Sequence, residues 1–185
     1  QGIFIMYGIV NKSIEELITS NYGQETWEAI KEKGDIDIDF FLANEPYDDE
    51  ITFKLAGAAA EVLGITVKDV LFVFGEFWIL KTCKEKYGSL LETGGYTLKD
   101  FLVNLPTFHN RVMLVYPLLT PPEFTVANAT DNSIEINYFS VRKGLQDFVF
   151  GLLSGLGKLY NTPTEITLLK SRAEGNSHEV FKVSW

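Results

Sequence analysis

The sequence predicts an α+β fold, with an N-terminal helical part followed by a small antiparallel sheet that carries one packed helix. Three observations point there. Apolar residues recur at three- and four-residue spacing through about Val115, they alternate in twos after Pro117, and short polar turns separate the later runs. With no internal repeat, low-complexity tract or Pro/Gly/Ser linker, the chain reads as one domain over residues 1–185. Its helical part covers about 6–115 and its sheet-plus-helix part about 120–185, with Pro117–Pro122 as the expected seam.

The elements follow in order. Ile9, Ile14, Leu17 and Ile18 trace the first helix, which Asn21 and Gly23 end. A second short helix covers about 24–33, with Trp27 and Ile30 inward. The third, about 48–63, starts on acidic residues and stops at Gly64, as the helix dipole and C-cap preferences favour. Thr66, with Asp69 three residues on, opens a helix carrying Val70, Leu71, Val73, Phe74, Phe77 and Trp78. Thr97 caps another, through about Val115, with Leu98, Phe101, Leu102, Leu105, Phe108 and Val112 on one side. Phe124–Ala129 and Ser133–Phe139 then read as strands around Asp131-Asn132. A helix follows over about 144–160, and strands over about 163–171 and 178–184 close the chain around Glu174-Gly175-Asn176.

Composition excludes several function classes. Of the 185 residues 46% are hydrophobic and 14% aromatic, enough for a sizeable core. The net charge of −9 argues against nucleic acid and against docking on anionic lipid. One cysteine, Cys83, permits neither an intramolecular disulfide nor a multi-cysteine metal site, and points to a reducing, cytoplasmic home. A lone Cys without a visible activating base is more often core packing than a thiol sensor. No apolar run reaches the ~20 residues of a membrane helix.

Two histidines and one polar trio are the candidates for chemistry. His178 stands among turn residues and reads as solvated. His109 shares a helix face with Leu102, Leu105, Val112 and Met113. That pattern most often marks a core histidine with a satisfied N–H, and it is also what a single proximal haem ligand looks like. Tyr138, Ser140 and Arg142 alternate at the end of the second strand, so period-2 geometry puts two hydroxyls and a guanidinium on one face. Such a trio suits a pair of carboxylates, although polar alternation more commonly marks an edge strand facing water.

Beyond these patterns, several motifs carry a family resemblance. They are Met6-Tyr7-Gly8-Ile9-Val10-Asn11-Lys12, Tyr22-Gly23 with Trp27, Ala58-Ala59-Ala60 before Val62-Leu63, and Phe74-Gly75. Asn104-Leu105 leading to His109, Pro121-Pro122, Gly144-Leu145-Gln146-Asp147 and Tyr-x-Ser-x-Arg at Tyr138, Ser140 and Arg142 complete the set. With them the chain closely resembles H-NOX domains from Met6 to its end. These are the haem nitric oxide/oxygen-binding domains also found at the start of the soluble guanylate cyclase β subunit. The resemblance implies that Gln1–Ile5 are extra, a remnant of expression or of a different start.

The resemblance further implies a haem b whose proximal iron ligand is His109. Its propionates would be held by Tyr138, Ser140 and Arg142, and Pro122 would distort the porphyrin. The haem is expected between the helices and the sheet-helix part. Oxygen-binding members place a tyrosine on the helix after the Tyr-x-Ser-x-Arg strand. Here that position aligns with Phe148, or with Asp147 if the alignment shifts by one. With Val10, Ile14, Trp78 and Leu152 as the other distal neighbours, nitric oxide (and carbon monoxide) binding with little or no oxygen binding is expected, because oxygen needs a hydrogen-bond donor and NO does not. Trp78 is the exception, since its indole N–H would serve oxygen if it faced the ligand. The implied role is a gas sensor in signal transduction and not an enzyme: NO weakens the Fe–His109 bond, the haem and subdomains relax, and a histidine kinase or cyclic-dinucleotide enzyme responds. Peroxidase or dioxygenase chemistry is the rival from another class, disfavoured by the lack of an evident distal His/Arg pair. Family members of this length are stand-alone bacterial proteins, and others are domains of longer chains.

Overall fold

The computed structural model describes residues 5–115 and 120–185. Gln1–Phe4, and Pro117 at the head of the expected seam, lie outside them. The α+β class is as expected.

The described residues form two compact units, one reaching to Phe74 and including Thr120, the other comprising the rest from Gly75 onward. In the first, β1 (Ile5–Tyr7) leads into α1 (Gly8–Tyr22) and α2 (Gln24–Lys33). A second strand, β2 (Pro46–Asp48), pairs antiparallel with β1 before α3 (Asp49–Leu63). This two-stranded ribbon has no counterpart in the sequence reading, because three-residue strands carry too little alternation to register. Trp27, Ile30, Ile14, Ile18 and Leu55 fill the core of the unit. The cap on α3 is as its sequence suggests: Asp48 accepts the Glu50 N–H at 2.9 Å, and Gly64 ends the helix at φ 67°.

The boundary between the units falls inside α4 (Val67–Phe77). Its start is a reciprocal capping box, in which Thr66 Oγ1 accepts the Asp69 N–H at 3.1 Å and Asp69 Oδ2 accepts the Thr66 N–H at 3.1 Å. The helix does not end near Trp78. It continues as a π-helical stretch, Trp78–Cys83, and then as α5 (Lys84–Glu92), with a kink at Tyr87 (φ −132°, ψ 25°). Apolar periodicity cannot reveal this, since a one-residue widening of the turn keeps the same residue types.

In the second unit α6 (Leu98–Val115) is followed by β3 (Glu123–Ala127), β4 (Ser133–Phe139), α7 (Gln146–Leu159), β5 (Glu165–Lys170) and β6 (Glu179–Ser184). The sheet is antiparallel in the order β3-β4-β6-β5. Alternate residues of β4, Ile134, Ile136 and Tyr138, turn into a core with Val149, Leu153 and Leu156 of α7 and Phe181 and Val183 of β6. Leu98, Phe101, Leu102 and Leu105 of α6 join the same core. So α1–α3 form a unit of their own, while α5 and α6 belong with the sheet.

Candidate functional site

His109 lies on α6, one turn after Pro106, an interior proline that leaves a helix carbonyl without its usual donor. The helix is anchored on both sides of the histidine. Asn104 Nδ2 donates to the Gly94 carbonyl at 3.0 Å, and Arg111 Nη1 donates to Thr93 Oγ1 at 2.6 Å. The imidazole packs on Phe124 of β3, centroids 4.9 Å apart, and Phe124 packs on Tyr138 of β4 at 5.3 Å. Three rings thus link α6, β3 and β4.

The His109 ring as a whole is half-buried, its Nδ1 is fully buried without a well-aligned hydrogen bond, and the Leu105 carbonyl one turn earlier lies within reach of the ring. Burial pushes the pKa down to about 4, with the Leu105 carbonyl opposing by less. The ring is therefore neutral at pH 7, with a lone pair available. A buried, neutral imidazole with a lone pair fits a ligand for haem iron.

The polar trio is gathered differently from the strand geometry that its spacing suggests. β4 stops at Phe139, so only Tyr138 is on the strand. Ser140 and Arg142 lie in the turn beyond it, where Ser140 Oγ accepts the Arg142 N–H at 3.1 Å. The expected alternation on one strand face is corrected accordingly: a side-chain-capped turn replaces the last steps of the strand. Tyr138 and Arg142 are buried and Ser140 half-buried. The Tyr138 phenol is pushed up by burial, against a Ser140 hydrogen bond and the charges of Arg172 and Arg142, with Glu179 adding to the rise. A hydroxyl pair beside guanidinium charge is the donor set that carboxylates such as propionates require.

Pro122 is half-buried immediately before β3, two residues from Phe124. Phe148 and its alternative Asp147 are both half-buried in the first turn of α7, with Leu152 one turn on. Trp78 heads the π-helical stretch. These belong to the second unit, whereas Val10 and Ile14 stand on α1 of the first. Gly75 explains how α4 and α7 come together. A Cβ there would meet the Phe148 carbonyl oxygen at 2.3 Å and the Leu152 nitrogen at 2.7 Å. His178, read as solvated, is half-buried and stacks on Phe139 at 4.2 Å. Cys83 is buried and its thiol is pushed up to about 12.

Phe124 and Arg172 are site residues that sequence reasoning missed. Phe124 is a strand residue by pattern, and nothing local marks it as a neighbour of His109. Arg172 bonds backbone atoms some thirty residues earlier.

Comparison with known proteins follows the same lines. The haem-NO-binding family matches residues 7–168. The chain is 26% identical over 177 residues to soluble guanylate cyclase gcy-31 of Caenorhabditis elegans, covering 95% of this chain and 25% of that protein. It is 24% identical over 153 residues to soluble guanylate cyclase 89Db of Drosophila melanogaster, covering 83% and 23%. The chain spans about a quarter of the length of these curated relatives. An H-NOX protein from S. oneidensis in the Fe(II)NO ligation state shares the fold, with a TM-score of 0.88, 19% identity and coverage of 97% and 98%. The unliganded Fe(II) H-NOX protein from K. algicida has a TM-score of 0.84, 22% identity and coverage of 97% and 96%.

Proposed function

Because this chain belongs to the haem-NO-binding family, we propose that it acts as one domain that binds haem b through His109 and senses nitric oxide in preference to oxygen. The buried, neutral imidazole of His109, packed on Phe124, carries this reading. When bound, the haem would be held at its iron by His109 and would supply a ferrous centre able to take up a diatomic gas.

The chain's own residues do the rest. His109 stays neutral and is oriented by Phe124. Tyr138, Ser140 and Arg142 would hold the propionates, and Pro122 would contact the porphyrin. Phe148 and Leu152 would supply apolar distal surface without a donor for oxygen, and carbon monoxide is a further ligand. The output is allosteric, passed to a histidine kinase or a cyclic-dinucleotide enzyme in the cytoplasm. The acidic composition and the absence, among the described residues, of a helix able to cross a membrane fit a partner other than nucleic acid or lipid.

A second reading, oxygen binding with Trp78 as donor, draws on the place of Trp78 at the head of the π-helical stretch, a distortion common at functional sites. Absorption spectra of the ferrous protein under argon, oxygen and NO separate the two. A spectrum moved by NO and not by oxygen is expected. A stable response to oxygen that Trp78→Phe abolishes would establish the second reading, and a His109→Ala variant with an unchanged five-coordinate spectrum would refute the ligand assignment.

A further inference from the structure

We propose that Arg172 is the positioning residue of the propionate site, its guanidinium, paired with Glu179, clamping the turn that carries Ser140 and Arg142. The inference rests on the haem-binding reading above.

The turn needs such a clamp. Beyond Phe139 the β4 ladder ends, so the carbonyls of Ser140 and Arg142 must find donors outside the sheet. Arg172 supplies both: Nη1 donates to the Ser140 carbonyl at 2.7 Å and Nη2 to the Arg142 carbonyl at 2.8 Å. The same guanidinium donates from Nε to Glu179 Oε2 at 2.9 Å and Oε1 at 3.0 Å. Glu179 is buried and stands directly opposite Tyr138 in the β4–β6 ladder. One rigid planar group therefore ties the strand beside Tyr138 to the backbone of the other two members of the trio. Glu179 supplies the counter-charge of Arg172, so the clamp adds no net charge beside Arg142.

Arg172 is itself held. It begins a short 3₁₀ turn, Arg172–Glu174, whose N-cap Ser171 accepts the Ala173 N–H at 3.2 Å and donates to Gln146 Oε1 at 2.8 Å. Gln146 is the first residue of α7. A lysine cannot reproduce the fork, because its single ammonium cannot span two carbonyls and a carboxylate in one plane.

The test compares wild type with Arg172→Lys and Glu179→Gln as full-length, haem-loaded protein. Haem release to excess apomyoglobin is timed for haem b and for haem with both propionates methylated. Arg172→Lys should release haem b about 10- to 100-fold faster, with little change for the dimethyl ester, as a protein–cofactor double-mutant cycle requires. Glu179→Gln should lie between the two. In haem-free protein, amide exchange at Val141–Lys143 should be faster in both variants. Unchanged release of haem b, equal acceleration for both haems, or unchanged exchange would overturn the proposal. Wild type that takes up no haem would overturn the haem reading and with it the propionate role, while the exchange data alone would still decide the clamp.

Discussion

Gly75→Ala and Gly57→Ala make the same chemical change in two helices and are expected to act with opposite sign. At Gly75 the added methyl meets the Phe148 carbonyl oxygen at 2.3 Å, the Leu152 nitrogen at 2.7 Å and the Gly151 Cα at 2.8 Å. All three are backbone atoms of α7, so no side chain can rotate away, and relief to ordinary contact needs α7 to move by about 1 Å. Overpacking of this kind costs about 1–3 kcal/mol, against a helix-propensity gain for alanine of up to about 1 kcal/mol. The net expectation is a loss of about 1–2 kcal/mol, or a Tm lower by about 2–8 °C for a chain of this length. At Gly57, inside α3, nothing lies within 4 Å of the added methyl, so only the propensity term remains. That variant should be more stable by up to about 1 kcal/mol. Urea unfolding of the three proteins, followed by far-UV circular dichroism, gives the comparison. A Gly75→Ala variant as stable as Gly57→Ala would refute the close approach of α4 and α7 and the placement of Phe148 that depends on it.

Three further predictions concern single groups. The pKa of His109 falls from 6.5 to about 4 on folding, so between those values the unfolded chain binds more protons, and stability should drop as pH falls through that window. The drop is at most about 3 kcal/mol, and urea titrations of haem-free His109→Leu should show it flattened; equal pH dependence in both proteins would contradict the burial. Cys83, buried with its thiol pushed up to about 12, should resist thiol reagents at pH 8 in the native protein and react promptly in denaturant. Rapid native labelling would reopen its reading as a thiol sensor. Asp48→Ala removes the side-chain acceptor at the start of α3 and should cost about 1 kcal/mol by urea unfolding, whereas Asp48→Asn should lose much less; equal losses would assign the effect to charge and not to the cap.

How far sequence carries depends on the range of the interaction. Helix starts at Asp48, Thr66 and Thr97 were legible because a cap joins residues two or three apart. The strands of the sheet were legible for a similar reason, since alternation and turn residues are local features. His109 and the Tyr138, Ser140 and Arg142 motif stood out by residue type, and the family resemblance suggested their roles. The same local rules placed Ser140 and Arg142 on a strand that stops one residue short of them.

By itself, then, the sequence determined the capped helices, the strands of the four-stranded sheet, the α+β class and the family. Tertiary structure alone decided the rest: the pairing of β1 with β2, the π-helical stretch from Trp78, the membership of α5 and α6 in the sheet's unit, and the burial of the His109 Nδ1. It also decided that Arg172, paired with Glu179, closes on the turn after β4. Local propensity is set by neighbours a few residues away. Burial, desolvation and shared hydrogen bonds depend on which distant segments meet, and no short-range pattern records that.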